Sequence, residues 1–135
     1  MKTFIYAFVK ETEKAVPFYQ KAFNAEIVKD ENFTQDEDGT YWHVELKFGD
    51  NLFGLSELSE DNPDVIGNEK IIGNIMQFGL IFESNEEAKL RNAYEVLKEG
   101  ADIFTPLEEV EYADLICDLV DKYGIRWCLA IKKSK

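Results

Sequence analysis

The order of apolar runs in this chain occurs twice, and that repetition restricts the possible folds more than any other feature. Thr3 to Val9 is a short, aromatic-rich run that reads as a strand. From about Lys14, residues Ala15, Phe18, Tyr19, Ala22 and Phe23 recur at helical spacing, with Pro17 expected in the first turn, where its missing N–H costs least. Glu26 to Phe33 reads as a second strand and Gln35 to Thr40 as an acidic loop. Tyr41 to Phe48 and Asn51 to Glu57 read as two more strands joined at Gly49 and Asp50, where a leading glycine suits a two-residue II′ turn. Leu58 to Asn74 is polar and acidic, contains Pro63 and two glycines, and reads as a connector.

Beyond the connector the order resumes. Ile75 to Phe82 is an apolar strand, and Ser84 with Glu87 suggests a capping box opening a helix that carries Leu90, Ala93, Tyr94 and Leu97 and closes at Gly100. Ala101 to Pro106 is a strand, and Tyr112 to Ile131 a closing hairpin. The repeat is partly visible in letters: Lys21-Ala22-Phe23-Asn24-Ala25-Glu26-Ile27 aligns with Leu97-Lys98-Glu99-Gly100-Ala101-Asp102-Ile103. The simplest expectation is a duplicated βαβββ unit, module 1 over 3–58 and module 2 over 75–132, in one α+β domain covering 1–135. A chain of 135 residues is long enough to bury about two thirds of its unfolded surface in a core.

Alternation sorts the faces. Val44, Leu46, Phe48, Phe78, Leu80 and Phe82 are expected beneath the helices, which need an apolar surface to cover. The opposite faces then line a more polar cavity enclosed by a curved mixed sheet. With the Gly49-Asp50 turn setting register, His43 lies opposite Ser56, Glu45 opposite Gly54 and Lys47 opposite Leu52, all on the cavity side. In the closing hairpin Asp121 opens and Gly124 ends a type I turn. Centring it between Lys122 and Tyr123 sets Val120 opposite Ile125, Leu119 opposite Arg126 and Cys117 opposite Cys128, which places two thiols and a guanidinium on one face. Trp127, opposite Asp118, and Trp42 are expected to pack on the helix side, and Tyr6 to point inward.

Charge narrows the partners. Fifteen Lys and Arg against 27 Asp and Glu give a formal −12, which repels nucleic acid and anionic membrane and favours cations; it also serves simply as a solubilising surface. No run approaches the roughly twenty apolar residues of a membrane span, and no leader with a basic flank and cleavage site is visible, so a cytoplasmic location is expected. Two cysteines without CxxC spacing suggest neither a disulfide framework nor a zinc ribbon, and reduced thiols are expected.

With Ala15-Val16-Pro17-Phe18-Tyr19 on the first helix, His43 before the Gly49 hairpin, Leu55-Ser56-Glu57, and the closing Asp121-Lys122-Tyr123-Gly124-Ile125-Arg126-Trp127, the chain resembles the vicinal oxygen chelate superfamily. This is the glyoxalase, bleomycin-resistance and extradiol-dioxygenase group, and the similarity is greatest to its PhnB-like branch, also labelled 3-demethylubiquinone methyltransferase-like. The resemblance implies paired βαβββ modules, a homodimer, and, in the metal enzymes, ligands on the first, fourth, fifth and eighth strands. Carried over, those positions are Phe4 or Tyr6, Gly54, Gln77 and Cys128, a set that does not supply a divalent-ion site. The chain thus resembles the metal-free members, and no cofactor is expected. No glycine-rich strand-to-helix loop is present to hold a nucleotide-type methyl donor.

The residues expected to bind a ligand are Tyr6, His43, Glu45, Gln77, Arg126 and Cys128. His43, the single histidine, reads either as a base oriented by Glu45 or as a polar wall residue. Cys128 reads as a thiolate activated by Arg126, as half of a redox pair with Cys117, or as small apolar packing. Arg126 is satisfied either by an anionic ligand group or by an acidic side chain such as Glu45. The acidic Glu57 to Asp64 stretch reads as a solvated loop or a lid. Three functions follow: metal-free binding of a small molecule, with a cationic compound as its specific version; a lyase or isomerase using either a divalent ion on a non-standard set of His43, Glu45, Gln77 and Cys128 or a metal-free His43 base; or a purely structural module.

Overall fold

The computed structural model describes residues 1, 5–59 and 76–134. Phe4, the connector beyond Ser59 with its lid reading, and Ile75 lie outside them. The chain divides into two compact units, the first running to Lys70 and the second starting at Ile71.

The first unit contains β1 (Ile5–Val9), α1 (Thr12–Phe23), β2 (Glu26–Val28), β3 (Thr34–Gln35), β4 (Tyr41–Phe48) and β5 (Asn51–Glu57). Its sheet runs β1-β5-β4-β2, with β1 parallel to β5, the other pairs antiparallel, and β3 adding to β4. The expected register holds: Glu45 faces Gly54 and Lys47 faces Leu52. Val44, Leu46, Phe53 and Leu55 are buried on one side with Ala15, Val16, Tyr19 and Ala22 of α1. There Phe23 stacks on Phe48 at 5.0 Å and Tyr19 meets Phe53 edge-on at 5.2 Å. Each large apolar side chain buried this way contributes about 1.5–3 kcal/mol.

α1 starts earlier than its apolar spacing indicates, because Glu57 at the end of β5 caps it. One carboxylate oxygen accepts the Glu11 N–H and the other the Thr12 N–H, each at 3.0 Å, so a negative charge sits on the unsatisfied donors of the first turn. Starting the helix at Thr12 puts Pro17 inside it rather than in the first turn. Pro17 lies on the exposed face, where water can reach the carbonyl left without a donor. The expected single strand from Glu26 to Phe33 is likewise shorter: β2 ends at Val28, a turn closes with Phe33 N–H on the Asp30 carbonyl at 3.2 Å, and the chain pairs again only at Thr34.

The second unit contains β6 (Phe78–Ile81), a 3-10 turn (Ser84–Glu86), α2 (Glu87–Leu97), β7 (Asp102–Val110), β8 (Ala113–Val120) and β9 (Arg126–Lys132). The strand order is β6-β9-β8-β7, with β6 parallel to β9. Leu115, Cys117, Leu119, Trp127, Leu129 and Ile131 are buried on one side, as are Leu90, Ala93 and Leu97 of α2, and Phe78 meets Trp127 edge-on at 5.2 Å. The capping box is one residue earlier than Ser84 and Glu87 suggested: it joins Glu83 to Glu86, whose carboxylate accepts the Glu83 N–H at 3.0 Å. β7 runs on past Pro106, which is tolerated because this is an edge strand with irregular pairing to β8.

The closing hairpin has a different register from the one expected. Asp121, not Val120, bonds to Ile125, its N–H on the Ile125 carbonyl at 2.8 Å, while the Gly124 N–H reaches the Asp121 carbonyl at 2.9 Å and Gly124 has φ +89°. The loop is therefore three residues with a glycine bulge, not two. Cys117 accordingly faces Leu129, Asp118 faces Cys128, Leu119 faces Trp127 and Val120 faces Arg126. Because side chains alternate, the one-residue shift moves Cys117 onto the α2 side, away from Cys128 and Arg126. The two thiols are not a cross-strand pair, and both are free.

Candidate functional site

On the first sheet, the face opposite α1 is ordered in rows by the strand register. Ser56 is paired with Phe8 on β1, His43 shares their face by alternation, and Val28, Glu45 and Gly54 lead to Tyr6. The Tyr6 side chain leans across β5, and its hydroxyl hydrogen-bonds both the His43 Nδ1 and, at 2.9 Å, the Ser56 Oγ. This crossing is possible only over a residue without a side chain. A Cβ at Gly54 would lie 2.6 Å from the Tyr6 ring, closer than real Cβ contacts allow. Tyr6 also packs at 5.6 Å from Phe8 and 5.2 Å from the His43 ring, forming an aromatic rank along the face.

Glu45 is beneath this rank and only 8% exposed. Of the two readings of His43, the base oriented by Glu45 does not form: among the described residues the imidazole partner is Tyr6, and no hydrogen bond reaches the Glu45 carboxylate. Leu52 and Phe8, on the same face, remain exposed.

On the second sheet, Arg126 and Cys128 of β9 share the face opposite α2 with Asp118 of β8. Arg126 grips Asp118 through two bonds, Nε to Oδ1 at 3.0 Å and Nη2 to Oδ2 at 2.7 Å, and its guanidinium lies 4.8 Å over the Phe104 ring. Of the partners weighed for Arg126, an acidic side chain holds it, and that side chain is Asp118 rather than Glu45. The hydrogen bonds it donates to Asp118 raise the guanidinium pKa above its ordinary value. Cys128 is half-buried; burial and then the Asp118 charge push its thiol pKa up, outweighing the lowering by Arg126, so it is not an activated thiolate. Burial drives Cys117 up to about 12. Gln77 is exposed immediately before β6. Tyr6, His43 and Glu45 are thus brought together on one sheet and Arg126 and Cys128 on the other.

Asp121, which ends β8, has a structural role. One carboxylate oxygen accepts the Tyr123 and Ile125 N–H groups at 2.8 and 3.1 Å, and the other accepts the Trp127 indole N–H at 2.9 Å. The closing motif therefore holds a turn together. Sequence reasoning missed the contributions of Phe8, Phe104 and Asp118. Face parity pointed to Ser56 and Gly54, whereas Asp118 became accessible only with the corrected register.

The positions matching the superfamily's metal ligands do not fit a divalent ion. The Tyr6 hydroxyl is held by His43 and Ser56, the Tyr6 ring fills the space into which a side chain at 54 would project, Gln77 offers only a neutral amide, and Cys128 favours its thiol. Among the described residues no group of three His, Cys, Asp or Glu side chains is arranged to hold a metal ion.

Two sheets, each with a parallel outer pair and, among the described residues, one covering helix, define a class of tandem βαβββ proteins. The model of the Glyoxalase/Bleomycin resistance protein/Dioxygenase superfamily matches residues 3–129, and the chain belongs to that family. A putative 3-demethylubiquinone-9 3-methyltransferase, the PhnB protein from Bacillus cereus, is similar at 22% identity and TM-score 0.73, with 97% of this chain and 99% of that one covered. Protein PA1353 from Pseudomonas aeruginosa is similar at 14% identity and TM-score 0.71, with 99% of both chains covered. A variant of the fosfomycin resistance protein FosX from Listeria monocytogenes, complexed with Mn(II) and 1S,2S-dihydroxypropylphosphonic acid, shares 15% identity at TM-score 0.66, covering 98% and 93%. These likenesses are of fold. No curated protein sequence matches significantly. No helix among the described residues is long and apolar enough to cross a membrane.

Proposed function

We propose that this chain is a PhnB-like, metal-free member of its superfamily that binds a small molecule on the open face of its first sheet. The observation that carries this reading is the juxtaposition of the hydrogen-bonded Tyr6, His43 and Ser56 with exposed Phe8 and Leu52 on the face opposite α1, which no helix among the described residues of that unit covers. Polar groups preorganised among apolar surface are what a ligand site requires. The donor set at the superfamily's metal positions favours the metal-free form over a lyase or isomerase built on His43, Glu45, Gln77 and Cys128. Arg126, held by Asp118, supports a positioning role on the second sheet rather than direct capture of an anion. A cytoplasmic homodimer acting as one glyoxalase-like domain, without nucleic acid or membrane partners, is part of the same proposal.

The test is a panel of small aromatic and aliphatic compounds read by melting temperature and tryptophan fluorescence, because a ligand that binds only the folded state must raise stability by mass action. Binding that survives exhaustive chelation supports the proposal. Stoichiometric transition metal in protein purified without chelator, lost on Cys128→Ala, overturns the metal-free reading in favour of an enzyme. Sedimentation at two concentrations tests the dimer.

A further inference from the structure

We infer that Glu45 is the recognition group for a protonated nitrogen, so that the ligand of the first sheet is an organic amine whose apolar body lies against Phe8, Tyr6 and Leu52. The inference rests on the small-molecule reading above and names the ligand's chemistry. Glu45 is 92% buried, taking its 8% exposure from the total, yet among the described residues no hydrogen bond or ion pair reaches its carboxylate. A carboxylate set in a largely buried side chain with no protein partner is a ready acceptor for a cationic donor. None of its carboxylate oxygens is sealed off without a partner, so the group keeps an opening through which one can arrive.

The surroundings specify what kind of cation. Glu45 sits in register with Gly54 and Tyr6, and the Tyr6 ring crosses above Gly54 to reach His43, on the same face as Glu45. Phe8 continues the aromatic rank at 5.6 Å from Tyr6 and is 40% exposed, leaving ring surface available. Aromatic faces beside a carboxylate attract an organic ammonium by cation–π and charge-assisted hydrogen bonding together. A strongly hydrated metal ion would gain little from the rings. The formal −12 of the chain raises the local concentration of cations without selecting among them.

Because His43 is the single histidine, its imidazole C–H resonances report on this face without ambiguity. The probes are 2-phenylethylammonium, the neutral 2-phenylethanol and the anion phenylacetate, each titrated to millimolar concentration. The inference expects a saturable shift of the His43 resonances with the ammonium, at least tenfold weaker binding of the alcohol and none of the acid. Glu45→Gln should weaken the ammonium at least tenfold while leaving the alcohol unchanged. Equal binding of alcohol and ammonium, or an undiminished ammonium affinity in Glu45→Gln, overturns the assignment of Glu45 while small-molecule binding at this face stands. If no probe of any charge moves the His43 resonances, both readings fall.

Discussion

Gly54 determines the geometry of the first sheet's open face. Its missing side chain lets Tyr6 cross β5, so Gly54→Ala should push the ring aside and break its bonds to His43 and Ser56. Overpacking of this kind costs about 1–3 kcal/mol, visible in urea unfolding, and the His43 resonances should move as their partner is lost. The thiols supply a second prediction. Burial raises both above their ordinary value near 9, Cys117 to about 12. The unfolded chain therefore loses its thiol protons first, and stability is expected to fall as pH rises from about 9 toward 12. Below that window a thiol reagent should modify Cys128 slowly and Cys117 only under denaturing conditions; rapid modification of Cys128 near neutral pH would contradict the buried-thiol account. At this scale Tyr6, His43 and Glu45 were legible as a group because alternation and one short turn fix their face. Arg126 was legible as a residue but not as a pair, since Asp118 shares its face only when the residue count across the turn is right.

Two turns in the chain follow one local rule. Asp36 to Trp42 and Asp121 to Trp127 each have Asp, Gly and Trp at spacings of three. In both, the Asp N–H bonds a carbonyl four residues on, the Gly N–H returns to the Asp carbonyl with φ near +90°, and the indole donates to the Asp carboxylate. The hairpins occupy different places in their units, β3 to β4 in one and β8 to β9 in the other, so the local sequence makes the turn and the context decides its weight. Asp121 is 4% exposed and satisfies three donors, whereas Asp36 is exposed. Asp121→Ala should cost about 3 kcal/mol by leaving buried donors unpaired and Asp36→Ala about 1 kcal/mol or less; comparing their melting temperatures checks the difference, and equal losses would refute it. The same turns show why the expected register failed. A two-residue and a three-residue loop both start with Asp, and only glycine in the left-handed region adds the extra residue that returns Cys117 to the core. α1 shows the converse, since its start depends on Glu57, more than forty residues away along the chain.

Across the whole molecule, the formal −12 means that self-repulsion opposes compactness. Raising ionic strength should therefore raise the melting temperature, since screening relieves repulsion between exposed like charges; a melting temperature that falls with sodium chloride would show that ion pairs such as Arg126 with Asp118 dominate instead. The sequence by itself determined the duplicated βαβββ order, the two helices, the family and the face of the first sheet on which Tyr6, His43 and Glu45 meet. Those features follow from periodicity, which is local and repeats. Only the tertiary structure decided the closing register, the cap on α1, the partner of Arg126 and the unpaired state of Glu45, because each depends on a contact between strands or on burial that no single stretch of chain encodes.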